Sequence, residues 1–232
     1  MSDHFTRRRR TLTVLGVCAL GVTPAWLKAQ GVQKSIHRQP VHDVRILVLG
    51  DSLSAEYGIA RGTGWVALLE QRLRSQGRSA SVINGSISGE TTAGGRTRLP
   101  GLLQQHQPTH VVIELGGNDA LRGWSLKTTE DNLVAMARVA QSSGAQAMLV
   151  GMQLPPNYGR RYAADFAQVF ERAAQSTGAA LVPFLLKGVA DRPDARQWFQ
   201  PDGIHPLAKA HPIMLDNVWP TLEAQMRAGA RR

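Results

Sequence analysis

Val44-Arg45-Ile46-Leu47-Val48-Leu49-Gly50-Asp51-Ser52-Leu53-Ser54 is the stretch on which the fold turns. Five of its first six residues are apolar, and Gly50 stops the run. A short apolar run without alternation reads as a strand buried on both faces, the kind that parallel sheets keep beneath helices. The same unit recurs along the chain. Trp65, Leu68, Leu69 and Leu73 stand at helical spacing before Gly77, and Ala80-Ser81-Val82-Ile83 predicts a second strand ended by Asn84-Gly85. A helix follows over 95–106, with Pro100 as a potential breaker. His110-Val111-Val112-Ile113-Glu114-Leu115 predicts a third strand, closed by Gly116-Gly117. Leu133, Met136, Ala137 and Ala140 mark a helix over 129–143. Residues 147–152 predict the fourth strand, 162–177 a long helix, 179–183 a short fifth strand, and 206–226 a mostly helical close.

No hairpin turn joins any two neighbouring strands, and five strands are too few for an eight-stranded barrel. The alternation therefore predicts an α/β chain of three layers, α/β/α, with a flavodoxin-like five-stranded parallel sheet. In that arrangement a ligand site lies beyond the carboxyl ends of the strands, where the first and third lie side by side.

The chain has 232 residues, of which 43% are hydrophobic and 19% charged. That is one ordinary domain with a core, not a disordered chain. The formal charge is +10, which favours anionic surfaces without naming a partner. Arg7, Arg8, Arg9 and Arg10 precede the apolar stretch Thr11–Val22, which is too short to span a bilayer. A basic segment, an apolar segment and the small residue Ala29 are the parts of an export signal, of general or twin-arginine type. The expected organisation is a signal over 1–29, a polar linker over 30–42 and one catalytic domain over 43–232, delivered to the periplasm or outside the cell. Cys18, the single cysteine, leaves with the signal, so neither a disulfide framework nor a cysteine-rich metal site is expected.

Chemistry-bearing residues gather at the strand ends. Gly50-Asp51-Ser52-Leu53 follows the first strand, Asn84–Thr92 the second, and Gly116-Gly117-Asn118-Asp119 the third. Asp202-Gly203-Ile204-His205-Pro206 stands far along the chain. One mechanism uses all of them. A serine hydroxyl attacks only when a base takes its proton, a task for which His205 is suited. Asp202, three residues back, can reach the far ring nitrogen and fix the tautomer. Backbone N–H groups of Ser52 and Gly89, with the Asn118 amide, supply three donors for a developing oxyanion. Tyr57, Trp124 and Tyr158 fall near these loops and are candidates for binding an acyl group.

These four blocks, in this order, resemble the SGNH (GDSL) hydrolase family. The stretches Asn84–Thr91, Glu114–Gly123 and Asn157–Tyr162 are similar in particular to its bacterial periplasmic arylesterase, lysophospholipase and acyl-CoA thioesterase I group. The resemblance implies Ser52 as nucleophile, Gly89 and Asn118 in the oxyanion hole, and the Asp202/His205 pair. It also implies broad ester and thioester hydrolysis without metal or cofactor. Glu90 and Gly85 stand where relatives often carry Asp and Ala, which bears on loop shape. The expected partners are small acyl esters or thioesters and, transiently, an anionic lipid surface; no nucleic acid is expected, and the chain is expected to act as a monomer.

Other chemistries find less support. A Gly-x-Ser-x-Gly elbow is missing, as is a glycine loop running into Lys-Ser/Thr. Pro108 separates His106 from His110, which argues against a helical metal pair. His211 has Ala208 where an orienting acid would stand, and Asp51 and Asp119 read as loop-fixing acceptors. Two further readings stay open from the sequence: a carbohydrate O-acetyl esterase on the same scaffold, and a non-catalytic binder of anionic surfaces.

Overall fold

The computed structural model describes residues Val44–Gly229. The expected signal over 1–29, the linker over 30–42 and Cys18 lie outside the described residues. Strands β1 (Val44–Gly50), β2 (Ala80–Asn84), β3 (His110–Glu114), β4 (Gln146–Val150) and β5 (Ala180–Val182) form one parallel sheet in the order β2-β1-β3-β4-β5. The apolar runs become strands because both faces of the sheet are covered. Every residue of β3 is buried, as are the last five of β1. Edge strand β2 is only half-buried, which is why its alternation is weaker and it holds Ser81.

Helices α1 (Trp65–Ser75) and α6 (His211–Gly229) pack together on one face. Helices α2 (Thr92–His106), α4 (Leu126–Ser142) and α5 (Arg160–Thr177) cover the other. The chain runs outward from β1 to β2, then back past β1 to β3, whose register is Ile46 with His110 through Gly50 with Glu114. That reversal leaves a crevice above the carboxyl ends of β1 and β3. Single-turn 3₁₀ segments occur at Pro156–Tyr158, Ala195–Trp198 and Ala208–Ala210.

Several boundaries differ from the sequence expectation. Helix α2 starts at Thr92, three residues early, because Thr91 caps it by accepting the Gly94 N–H. Pro100 lies inside α2 and does not end it. The closing helix starts at His211 and not at Pro206. The stretch 116–119, expected as a loop, opens a five-residue helix α3 (Gly117–Leu121). Five residues carry no readable periodicity, and two of α3's are Gly and Asn, poor helix formers.

Candidate active site

Three strand ends and one late loop build the site. Ser52 stands one residue beyond Asp51, just past β1, in a turn closed by Ser54 N–H to Asp51 C=O and Ala55 N–H to the same carbonyl. His205 Nε2 lies 2.8 Å from Ser52 Oγ, and His205 Nδ1 lies 2.7 Å from Asp202 Oδ2. The other Asp202 oxygen accepts the backbone N–H groups of Ile204, at 2.9 Å, and His205, at 3.0 Å. Partial burial pushes the Asp202 carboxyl up, but the His205 ring and these two N–H groups outweigh it and take the group down to about 2. It is therefore a carboxylate at any working pH, and His205 has an anion behind it.

Asn118 Nδ2 donates to Asp51 Oδ2 at 3.0 Å. A primary amide has two N–H bonds, and among the described residues only this one is engaged. One hydrogen thus fixes the loop through Asp51, and the other is left without an acceptor on the border of the cavity that Ser52 also lines. Gly116 makes this placement work. Its φ of 118° takes the chain sharply from β3 into α3, a conformation that a side chain resists. Among the described residues no acceptor takes the N–H of Ser52 or of Gly89. Gly89 does not border the cavity described below; Arg122 Nη2 holds its carbonyl at 3.2 Å.

Asp51 is nearly buried. Burial pushes its carboxyl up to about 6, against the Leu53 N–H, the charge of His205 and the Asn118 amide, all of which pull down. Asp119 has a different task. Its two oxygens take the Thr92 N–H and the Thr92 hydroxyl, and Asn132 Nδ2 donates to that hydroxyl at 3.1 Å. Asp119 thus ties α3 to the start of α2. Asp51 and Asp119 both act as loop-fixing acceptors here, as the sequence suggests. The unusual pair Glu90 and Gly85 meets at one guanidinium: Arg98 donates to the Glu90 carboxylate at 2.7 Å and to the Gly85 carbonyl at 2.8 Å.

Beside Ser52 opens a cavity of about 550 Å³. Leu53, Leu121, Leu154, Phe166, Phe184, Leu186 and Phe199 give it mostly apolar walls, with Ser52, Asn118 and His205 on its border. Much of that wall comes from 153–155 and 184–199, segments without strand or α-helix to which the sequence reading assigned no role. Trp124 and Tyr158, expected near the acyl group, do not line it. Both are exposed outside it, in the connections that lead into α4 and α5. Tyr57 does not line it either; its ring leans on that of His205, with centroids 4.3 Å apart.

Gln200 escapes the sequence reading, and His211 has a structural role and not that of a base. Gln200 Nε2 donates to the Tyr57 carbonyl at 2.9 Å, and its backbone N–H to the His205 carbonyl at 2.7 Å. It therefore ties the serine's loop to the histidine's. His211 Nδ1 accepts the Trp65 N–H at the start of α1, and burial takes its ring down to about 4. It is a neutral structural bracket. No signal short of the folded contacts marks either residue. Among the described residues no cluster of three ligating side chains suits a metal ion.

A family model described as the GDSL-like lipase/acylhydrolase family matches residues 48–213. The chain belongs to that family. It is therefore a hydrolase of acyl bonds. It is 50% identical to the esterase TesA of Pseudomonas aeruginosa over 178 residues, 77% of this chain and 87% of that protein. A crystal structure of TesA superposes with a TM-score of 0.75, covering 78% of this chain and 98% of that one. The thioesterase 1/protease 1/lysophospholipase L1 of Escherichia coli is 43% identical over 171 residues, 74% of this chain and 79% of that protein. The psychrotrophic esterase EstA of a Pseudoalteromonas species, solved inhibited by monoethylphosphonate, is 39% identical with a TM-score of 0.74, covering 80% of this chain and all of that one.

Proposed function

We propose that this chain is an exported serine esterase and thioesterase of broad specificity, cutting aryl esters, acyl thioesters and lysophospholipids through an acyl-enzyme on Ser52. The observation that carries this reading is the unbroken line from Asp202 Oδ2 through His205 to Ser52 Oγ, at 2.7 and 2.8 Å, beside an apolar cavity. His205 Nε2 takes the proton as Ser52 Oγ attacks the acyl carbon. Negative charge develops on the former carbonyl oxygen, where the N–H groups of Ser52 and Gly89 and the spare Asn118 hydrogen receive it. The imidazolium, steadied by the Asp202 carboxylate, passes its proton to the departing alcohol or thiol. Water then repeats the sequence on the acyl-enzyme and releases the acid. No step calls for a metal or cofactor.

The apolar walls favour an acyl chain over the small acetyl group of a carbohydrate ester, because a wall of this kind gains by covering methylenes. Chain-length preference against p-nitrophenyl esters tests that: activity should rise from acetate to longer acyl groups. A fluorophosphonate should label Ser52 and no other serine. Ser52→Ala should lose turnover by roughly 10⁶-fold while keeping the fold. Labelling at Ser54, Ser86 or Ser88 would overturn the assignment.

The chain also meets an anionic lipid surface in passing, and it works as a monomer. Among the described residues six large apolar side chains are exposed, and five of them, Tyr57, Ile87, Trp124, Tyr158 and Ile204, stand in the connections that run from a strand's carboxyl end to the next long helix, as Ser52 does. Arg122 lies over the Trp124 ring in the same region. Cosedimentation with phosphatidylglycerol vesicles, and less with phosphatidylcholine, is the expected result. The leader over 1–29 supports export, and fractionation of cells making the full chain tests it.

A further inference from the structure

Beneath the nucleophile lies an acid that the reaction above does not use. Glu114 ends β3, is fully buried, and has one oxygen, Oε1, without a hydrogen-bond partner among the described residues. Such a group is costly among Val111, Val112 and Ile113, where an apolar side chain would pack freely. Its other oxygen, Oε2, is in full use. It accepts the Ser54 hydroxyl at 2.7 Å and the Asp51 N–H at 3.3 Å. Those two donors bracket Ser52 on either side in the chain. Ser54 is held further by the Trp65 indole N–H at 3.1 Å and, through its carbonyl, by Asn84 Nδ2 at 2.8 Å. The register supplies the reason for the contact, since Gly50 pairs with Glu114 across the sheet. Gly50 also leaves the room: a Cβ there would stand 2.8 Å from Glu114 Oε2 and 2.7 Å from Ser54 Oγ.

We propose that Glu114 is a positioning residue for catalysis: by gripping Asp51 N–H and Ser54 Oγ–H with one oxygen, it sets the turn that aims the Ser52 hydroxyl and N–H. This rests on Ser52 being the nucleophile. The carboxyl serves as an acceptor in a dry site, not as a charge. Burial and the neighbouring charge of Asp51 both push it well above the ordinary range, so it keeps its proton. An amide oxygen can therefore stand in for it.

The test compares Glu114→Leu, which removes the acceptor, with Glu114→Gln, which keeps it. For folded Glu114→Leu, kcat should fall by about 10-fold to 100-fold, the scale of a small misplacement of reacting atoms, with KM little changed. The rate of fluorophosphonate labelling at Ser52 should fall in parallel. Glu114→Gln should restore both to within about threefold of the unaltered chain. A role in stability alone would lower the melting temperature and leave kcat and labelling of the folded protein intact; that outcome overturns the proposal. So does Glu114→Gln falling as far as Glu114→Leu. Should Glu114→Leu not fold, Ser54→Ala removes one of the two gripped donors, and unchanged kcat and labelling there would equally overturn it. Ser52→Ala is run alongside. Turnover surviving in that variant sinks the nucleophile reading; an inert Ser52→Ala beside a fully active Glu114→Leu sinks only the positioning role.

Discussion

A lone acid and a pair of acids flank Ser52, and their surroundings drive them in opposite directions. Asp202 is paired with His205 on an exposed loop, receives three hydrogen bonds, and is taken down to about 2. Asp51 and Glu114 lie in the sheet's upper layer, where burial takes Asp51 up to about 6 and Glu114 well above its ordinary range. The residue types are the same. What differs is whether donors and solvent repay the charge. The outer acid is held as a charge beside the His205 ring. The inner pair is built to accept hydrogen bonds and hold loops in register. One site thus uses carboxyl groups as charges on one side and as geometry on the other.

Removing the outer charge should have the largest effect. Asp202→Ala should lower kcat by about 10⁴-fold, because His205 loses both its tautomer and the anion facing its imidazolium. Steady-state kinetics on a p-nitrophenyl ester measures it. A loss of under tenfold would mean that the exposed pair is only a surface ion pair, and the contrast with the buried pair would collapse. Stability should respond in the matching sense. A carboxyl held low favours the folded state above its ordinary value of 3.8, and that gain is lost as pH falls toward 2.

Asn118 lies between the two regimes, touching the inner acid and facing the reacting atoms. Asn118→Ala should lower kcat by roughly 10²–10³-fold with little change in KM, since the spare amide hydrogen is used only when charge develops. Ser52 should still react with a fluorophosphonate, more slowly. If kcat stays above about a third of the original, the amide belongs wholly to the Asp51 side, and the backbone donors carry the oxyanion.

The smallest effect is the most direct reading of the inner pair. With Asp51 raised from 3.8 to about 6, the folded chain holds a proton that the unfolded chain releases between those values. Asp51 therefore favours folding most at low pH, and that advantage drains away as pH rises through 6. Asp51→Asn should remove this slope. Comparing melting temperatures at pH 5 and pH 8, the variant's difference should depart from the original chain's by about 2–4 °C, the shift expected for roughly 1 kcal/mol in a chain of this size. Identical differences would show that Asp51 already ionises in its ordinary range and that burial does not raise it. Measuring the change against the unaltered chain cancels the opposite contribution of His211, whose ring is held low.

What could be read beforehand and what could not divide along the same line. Val44–Leu49 and His110–Glu114 announced themselves as strands because burial on both faces leaves no room for polar residues. Ser52, Asp202, His205 and Asn118 stood out because one mechanism uses all of them, although each alone suits an ordinary turn. Glu114 was hidden in plain view. In sequence it is the polar end of a strand, and nothing local says that its oxygen grips residues 60 and 63 positions away. Tyr57, Trp124 and Tyr158 misled for a related reason: being near an active loop in sequence does not decide which way a ring turns.

The sequence by itself determined the five-stranded α/β order, the end of the sheet where chemistry gathers, and the family resemblance. Each of these follows from local facts: apolar runs, glycine stops, and residue types fit for proton transfer. Only the tertiary structure decided which acid stays charged, which keeps its proton, and what walls the cavity. Ser52 and His205 are 153 positions apart, yet 2.8 Å separates their reacting atoms. Burial and hydrogen bonding at that range depend on packing between distant segments, and a carboxyl group's charge is set by those surroundings and not by its own identity.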